Sequence, residues 1–140
     1  MILETLKLRS YRNLGNIDLT WNNHFNVIYG ENAQGKTNLL EAIYLLGHLK
    51  SFRGARGQDL INHTAETAFI SAMVDKGNVA HKLDIGLQKA GRNPRVDGKM
   101  VKKLSEFLGY LRSVLFTPEE LGNIKGFPAG RRALLDRAIL

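Results

Sequence analysis

The residues with the clearest chemical content are Gly30-x4-Gly35-Lys36-Thr37, inside YGENAQGKTNLLEAIYLL at residues 29–46. Glycines at these positions let a backbone fold tightly enough for successive N–H groups to converge on phosphate oxygens. A helix starting at the lysine adds the partial positive charge of its N-terminus. In that arrangement Lys36 reaches the β and γ phosphates of a nucleotide, the Thr37 hydroxyl binds Mg²⁺, and Asn38 donates to an α phosphate. With 14 glycines, 10 lysines and 11 serines and threonines in the chain, the four fixed positions co-occur by chance in roughly 1% of such sequences, before a flanking strand and helix are demanded. A glycine turn ahead of an ordinary core helix is therefore the weaker reading. Turnover asks for more, namely a carboxylate at the end of a core strand that holds Mg²⁺ through water and polarises the attacking water. Asp75 ends an apolar run, but a turn follows at once, which predicts an antiparallel pair rather than a strand beside the phosphate loop. Glu119 is cut off from its apolar run by Thr117-Pro118.

The elements that must position the loop follow from periodicity. Residues 2–10 alternate Ile2, Glu4, Leu6 and Leu8, and residues 16–21 follow a turn, so two antiparallel strands are predicted. Residues 24–30, an apolar run ending in glycine, predict a buried strand feeding the loop. From Lys36 onward Leu39, Ile43 and Leu46 recur at helical spacing, with Asn38 and Glu41 off that stripe, and the helix is expected to end near residues 47–51. Residues 68–75 and 79–88 flank Lys76-Gly77-Asn78, a hairpin signal, and Asp97-Gly98 marks a second, short hairpin. A short helix over 101–109, a strand over 111–117 and a helix over 129–140 complete the reading. The last helix runs to Leu140 with no C-cap glycine or polar tail, as a chain interrupted within a helix would.

Composition narrows the class. The 140 residues, 44% hydrophobic, suit one folded domain, and the absence of cysteine excludes disulfides and thiolate metal sites. No signal peptide opens the chain and no apolar run approaches the roughly 20 residues of a membrane span, so a cytoplasmic setting without membrane contact is expected. A net charge of +7 suits a protein that meets phosphate polymers. The four histidines show no ligand spacing, and Trp21 reads as packing. Arg53, Arg56, Arg131 and Arg132 fit either a solvated face or phosphate contacts.

Beyond the phosphate loop, the opening L-x-L-R-S-Y-R-N, the S-F-R-G at 51–54, and F-T-P-E-E-L with G-x-P-x-x-R-R near the end form a specific set. Together they resemble the N-terminal part of the RecF family of bacterial recombination mediators, whose ATPase heads are similar to those of SMC and related repair ATPases of the ABC superfamily. The resemblance runs through essentially all 140 residues. It implies an α/β P-loop NTPase fold, the N-terminal portion of an ABC/SMC-like head, with a mixed sheet and antiparallel hairpins. Residues 1–140 would then be the ATP-binding portion of a larger protein, ending before the signature loop and the second acidic motif, Walker B.

The resemblance also implies roles. Gly30, Glu31, Asn32, Ala33, Gln34, Gly35, Lys36, Thr37 and Asn38 would bind ATP, with Thr37 on Mg²⁺. Arg12 and Asn13 match the arginine-bearing turn beside the nucleotide phosphates. Arg53 is similar to an SMC arginine that reaches toward the γ phosphate and links hydrolysis to DNA, and Asp59-Leu60-Ile61 falls where those heads flank the adenine. Related heads carry a glutamine after the strand near Phe116, where this chain has Glu119, so either Glu119 takes over its task or the task falls elsewhere. Lys103-Leu104-Ser105-Glu106 lacks the glycine pair of a signature loop. The implied partners are DNA at single-strand/double-strand junctions, RecO and RecR, and, for the longer protein, a second copy in an ATP-dependent homodimer. The 140 residues alone are expected to bind ATP, to hydrolyse it negligibly and not to form that dimer. Two other classes fit the loop: a small P-loop kinase acting on a metabolite, for which the hairpins are poor lid material, and a nucleic-acid binding module with a vestigial nucleotide site.

Overall fold

The structure, a computed structural model, describes residues 1–117. Glu119, Arg131, Arg132 and the helix predicted over 129–140 lie outside the described residues. Six strands form one sheet in the order β2-β1-β3-β4-β5-β6, with every pair antiparallel: β1 (Ile2–Tyr11), β2 (Leu14–Thr20), β3 (Thr67–Asp75), β4 (Ala80–Gln88), β5 (Gly91–Val96) and β6 (Lys99–Met100). The chain leaves β2, builds the phosphate loop and helix α1 (Lys36–His48), passes a 3-10 turn at Gly57–Leu60, and returns as β3 beside β1.

Alternation along the strands sorts the two sheet faces. Leu6 and Leu8 of β1, Ile70, Ala72 and Val74 of β3, and Leu83, Ile85 and Leu87 of β4 are buried together with Ala42, Leu45 and Leu46 of α1. The opposite face carries a cross-strand row of Asp18, Lys7, Ser71, Asp84 and Arg95. Both predicted hairpins are present, and the turn chemistry explains them. Gly77 and Asn78, and likewise Asp97 and Gly98, have positive φ at both central positions, which gives two-residue turns the twist of the strands they join. Asp75 lies in the first of these pairs, opposite Ala80, and its carboxylate accepts the Asn78 N–H. It caps a turn, as its position before the hairpin predicts. Trp21 packs against the core cluster.

Three expectations are corrected. Residues 24–30 are not a strand, and Phe25 and Tyr29 are 90% and 89% exposed. An apolar run needs a neighbouring ladder to become a strand, and β1 already has β2 and β3 on its two edges. Residues 111–117 likewise join no ladder among the described residues, and Val114 is fully exposed. Finally, the buried stripe of α1 is rotated from the one predicted. Ala42, Leu45 and Leu46 face the sheet, Leu39 and Ile43 pack at its margin, and Glu41 is fully buried.

Candidate nucleotide site

The turn between β1 and β2 brings the first cation into place. Ser10 and Arg12 have φ near 50°, a left-handed conformation uncommon for residues with a side chain. Tertiary contacts hold it: Arg12 N–H donates to the Leu60 carbonyl at 3.0 Å, Asn62 N–H donates to the Ser10 carbonyl at 2.8 Å, and Tyr11 bridges Ile61. These bonds seat the 3-10 turn and Asp59 against the end of β1.

The phosphate loop closes on the same turn. Gly30 and Gly35 have φ of 147° and 98°, and a Cβ at Gly35 would come within 2.5 Å of Leu14 Cδ2 and 3.0 Å of Asn13 Oδ1. Only glycine satisfies both the backbone angle and the close approach there. Asn13 donates to the Ala33 carbonyl at 3.0 Å, and Asn38 donates to Asn13 Oδ1 at 2.7 Å. The Lys36 ammonium lies over the loop, donating to the Gly30 and Glu31 carbonyls at 2.7 Å each. Helix α1 begins with Gly35 as N-cap, no side-chain cap and no acidic residue in its first turn. Its first N–H groups therefore point outward without intrahelical partners, in the positive end of the helix dipole.

These elements enclose a cleft of about 540 Å³. Arg12, Asn13, Arg53, Asp59 and Ile61 line one part of it; Asn32, Ala33, Gly35, Lys36, Thr37 and Asn38 line the rest. Sequence segments as distant as residues 12 and 61 are thus brought to one place. Gly30 and Glu31 serve through their carbonyls, and Gln34 is exposed on the loop away from the cleft. Leu60 is buried in the core, so of the Asp59-Leu60-Ile61 trio it contributes only its carbonyl, to Arg12. His63 also lines the cleft, and the absence of any ligand spacing gave no signal for it.

Under the cleft lies a buried carboxylate. Arg12 makes a two-pronged ion pair with Glu41, through Nε to Oε2 and through Nη2 to Oε1 at 2.8 Å. The Tyr11 hydroxyl donates to Oε2 at 3.1 Å and the Ser51 hydroxyl to Oε1 at 2.5 Å. Burial pushes the Glu41 carboxyl up, but the hydrogen bonds from Arg12, Ser51 and Tyr11, with the Arg12 charge, outweigh it and hold the group below the usual carboxylate range. The bond to Glu41 raises the Arg12 guanidinium. Burial first, and then the Glu41 charge, push the Tyr11 phenol up.

The donor set fits a polyphosphate. Three cations, Arg12, Lys36 and Arg53, meet a helix N-terminus and two asparagine amides, while Asp59 is occupied by the Arg56 N–H at 2.9 Å. Thr37 stands at the first turn of α1, where a hydroxyl can join the shell of a phosphate-bound Mg²⁺. Among the described residues no group of three or more His, Asp or Glu is arranged to hold a metal by itself.

Comparison with known proteins agrees with this architecture. Residues 2–123 match the family described as RecF/RecN/SMC N terminal domain. Among curated relatives, the DNA replication and repair protein RecF of Citrifermentans bemidjiense is 47% identical over 139 residues, 99% of this chain and 38% of that protein. The protein of the same name from Geobacter sulfurreducens is 42% identical over the same shares. The chain thus spans about 38% of the length of these relatives. Of solved structures, the recombination mediator protein RecF-ATPrS in the RecFOR pathway matches with a TM-score of 0.89 at 36% identity, covering 98% of this chain and 38% of that one. An SMC head domain from Thermotoga maritima matches with a TM-score of 0.58 at 20% identity over 76% of this chain and 40% of that one, a likeness of fold alone. With a P-loop, a following helix and an antiparallel lobe in the arrangement of ABC/SMC-like heads, the chain belongs to the RecF/RecN/SMC N-terminal domain family.

Proposed function

We propose that the chain is the ATP-binding portion of a RecF-like DNA-repair protein and that its cleft takes ATP with Mg²⁺. The observation that carries this reading is the convergence of Arg12, Lys36 and Arg53 on one cleft at the N-terminus of α1. The loop N–H groups and Lys36 bind the β and γ phosphates, Thr37 holds the metal side, and Arg53, joined by a 3.0 Å hydrogen bond to Asn38 on the loop side, faces the phosphates from the other part of the cleft. Bound Mg²⁺ would supply charge neutralisation across the phosphates. Asp75 is committed to a hairpin turn away from the cleft, and among the described residues the one carboxylate lining the cleft, Asp59, accepts the Arg56 N–H; the chain is expected to hold ATP with negligible turnover. Relatives named DNA replication and repair protein RecF, and solved neighbours described as RecF-ATP in the RecFOR pathway, support this reading.

The test is retention of labelled ATP with Mg²⁺ by the chain and by Lys36→Ala. The wild-type chain is expected to retain ATP and the variant to lose at least about tenfold in affinity. Equal retention by both sinks the phosphate-loop assignment and leaves a nucleic-acid module with a vestigial site.

In the longer protein, DNA at single-strand/double-strand junctions, RecO and RecR, and a second copy assembled around ATP are the partners this reading brings. The basic charge is unevenly placed in a way that suits DNA. Residues 76–112 hold nine Lys and Arg against three Asp and Glu, most of the chain's excess, on and beside the outer strands β4, β5 and β6. Binding of a gapped duplex is expected to weaken steeply between low and moderate salt. An affinity indifferent to salt would make this charge a solvated face.

A further inference from the structure

Glu41 is a costly residue to place where it is. It sits in the first half of α1, one turn beyond Thr37, fully buried, with a negative charge beneath a cleft built for phosphates. A buried carboxylate near a polyphosphate repels it unless the charge is matched. Arg12 matches it and is thereby oriented. The two-pronged pair uses the Nε–H and one Nη2–H, and a guanidinium has five N–H donors in a fixed plane. Three donors remain outside the pair, on a residue that lines the cleft.

The same carboxylate holds the opposite wall. Ser51 donates to Glu41 Oε1 while its oxygen accepts the backbone N–H groups of Arg53 at 3.0 Å and Ala55 at 3.2 Å. That fixes the turn from which Arg53 reaches Asn38 at 3.0 Å, and Asn38 returns through Asn13 to the loop carbonyl of Ala33. The hydrogen bonds that Glu41 accepts, from Tyr11, Arg12 and Ser51, thus run to residues that shape the cleft walls or carry its cations.

We infer that Glu41 is a positioning residue of the nucleotide site, a buried carboxylate that orients Arg12 and, through Ser51, Arg53, toward the phosphates of the bound nucleotide. The inference rests on the ATP reading of the cleft. A purely structural ion pair joining β1 to α1 would stabilise the fold without setting affinity, and the experiment separates the two.

The 140-residue chain, Glu41→Gln, Arg12→Ala and the double variant are compared for Mg-ATP affinity, each well below its own melting temperature. Glu41→Gln is expected to weaken ATP about fivefold and Arg12→Ala about tenfold, with the double variant falling well short of the product of the two, because both changes remove the same oriented guanidinium and only the Ser51 arm remains to add to it. A Glu41→Gln affinity equal to wild type, or losses that multiply in the double variant, overturns the inference. Ser51→Ala removes a neutral arm and tests the second wall even where Glu41→Gln does not fold. It is expected to weaken ATP about twofold and to leave Arg53→Ala with little further effect, and an undiminished Arg53→Ala loss in that background overturns the coupling. Lys36→Ala run alongside distinguishes the failures. If it loses ATP while Glu41→Gln does not, only the positioning role falls; if it retains ATP, the nucleotide reading falls first.

Discussion

The two sides of the phosphate loop are built by opposite means. After the loop, α1 presses Ala42, Leu45 and Leu46 onto the sheet, and Glu41 ties the helix to the β1 turn and to Ser51. Before it, residues 24–29 belong to no strand, Phe25, Val27 and Tyr29 are exposed, and among the described residues their hydrogen bonds are those of a local asparagine turn between Asn22 and Asn26. The loop is therefore held in place from its helical side and from the β1–β2 turn, through Asn13 and the Gly35 approach to Leu14. A phosphate site can be shaped by the helix on its C-terminal side and by the turn facing it, even where the run that leads into it has no ladder partner among the described residues.

The largest effect that sharpens this contrast is expected at Glu41. Glu41→Ala leaves Arg12, with only 17% of its side chain exposed, without its counter-charge, and takes a partner from Tyr11 and Ser51. A loss of about 3–5 kcal/mol in unfolding free energy is expected by urea denaturation. Leu45→Ala, which empties a fully buried position on the same helix, is expected to cost about 2–5 kcal/mol. Phe25→Ala removes a larger side chain from an exposed site and is expected to stay within about 0.5 kcal/mol of wild type. A Phe25→Ala loss rivalling that of Leu45→Ala would mean that the run before the loop is buried in solution, and the contrast would collapse.

Glu41 was the residue least legible in the sequence, and the reason is physical. Helical periodicity assigns charged residues to the solvent side, and the partners that reverse this, Tyr11 and Arg12, lie 30 and 29 positions away. The phosphate loop, both hairpins and α1 were legible because local chemistry decides them: glycines at positive φ, Gly-Asn and Asp-Gly turns, and a helix ended at Leu49 in a left-handed cap. Residues 24–30 show the limit. Their apolar pattern states a demand for burial, and burial depends on a neighbour that a local pattern does not contain. The roles of Arg12, Arg53 and Asp59 came from family resemblance, and the structure places all three on the cleft.

The buried pair also predicts a pH signature that the exposed run lacks. Because the folded Glu41 carboxyl lies below its ordinary value, its contribution is fully present above the unfolded carboxylate range, about pH 4.3, and is lost as the pH falls through the lower folded value. Unfolding free energy measured from pH 7 to pH 3 should drop in the wild-type chain and drop less in Glu41→Gln. Parallel curves would show that other carboxylates dominate the acid response.

A small effect is also expected far from the loop, at Asp97. Its carboxylate takes His81 Nδ1 at 2.9 Å and the Lys82 N–H at 2.8 Å, and the His81 bond, then the Lys82 one, hold it below its ordinary range. The pairing resembles that of Glu41 in its shift, but Asp97 is about half exposed, and water screens what the buried pair keeps. Asp97→Asn is a clean probe because asparagine tolerates the φ of 50° at this turn and can still accept the Lys82 N–H. A loss of no more than about 1 kcal/mol at pH 7 is expected. It should shrink as the pH falls through the folded Asp97 value, where wild type loses the same charge. A loss near that of Glu41→Ala would show that the outer hairpin, and not only the buried carboxylate, holds the sheet on which the nucleotide cleft is built.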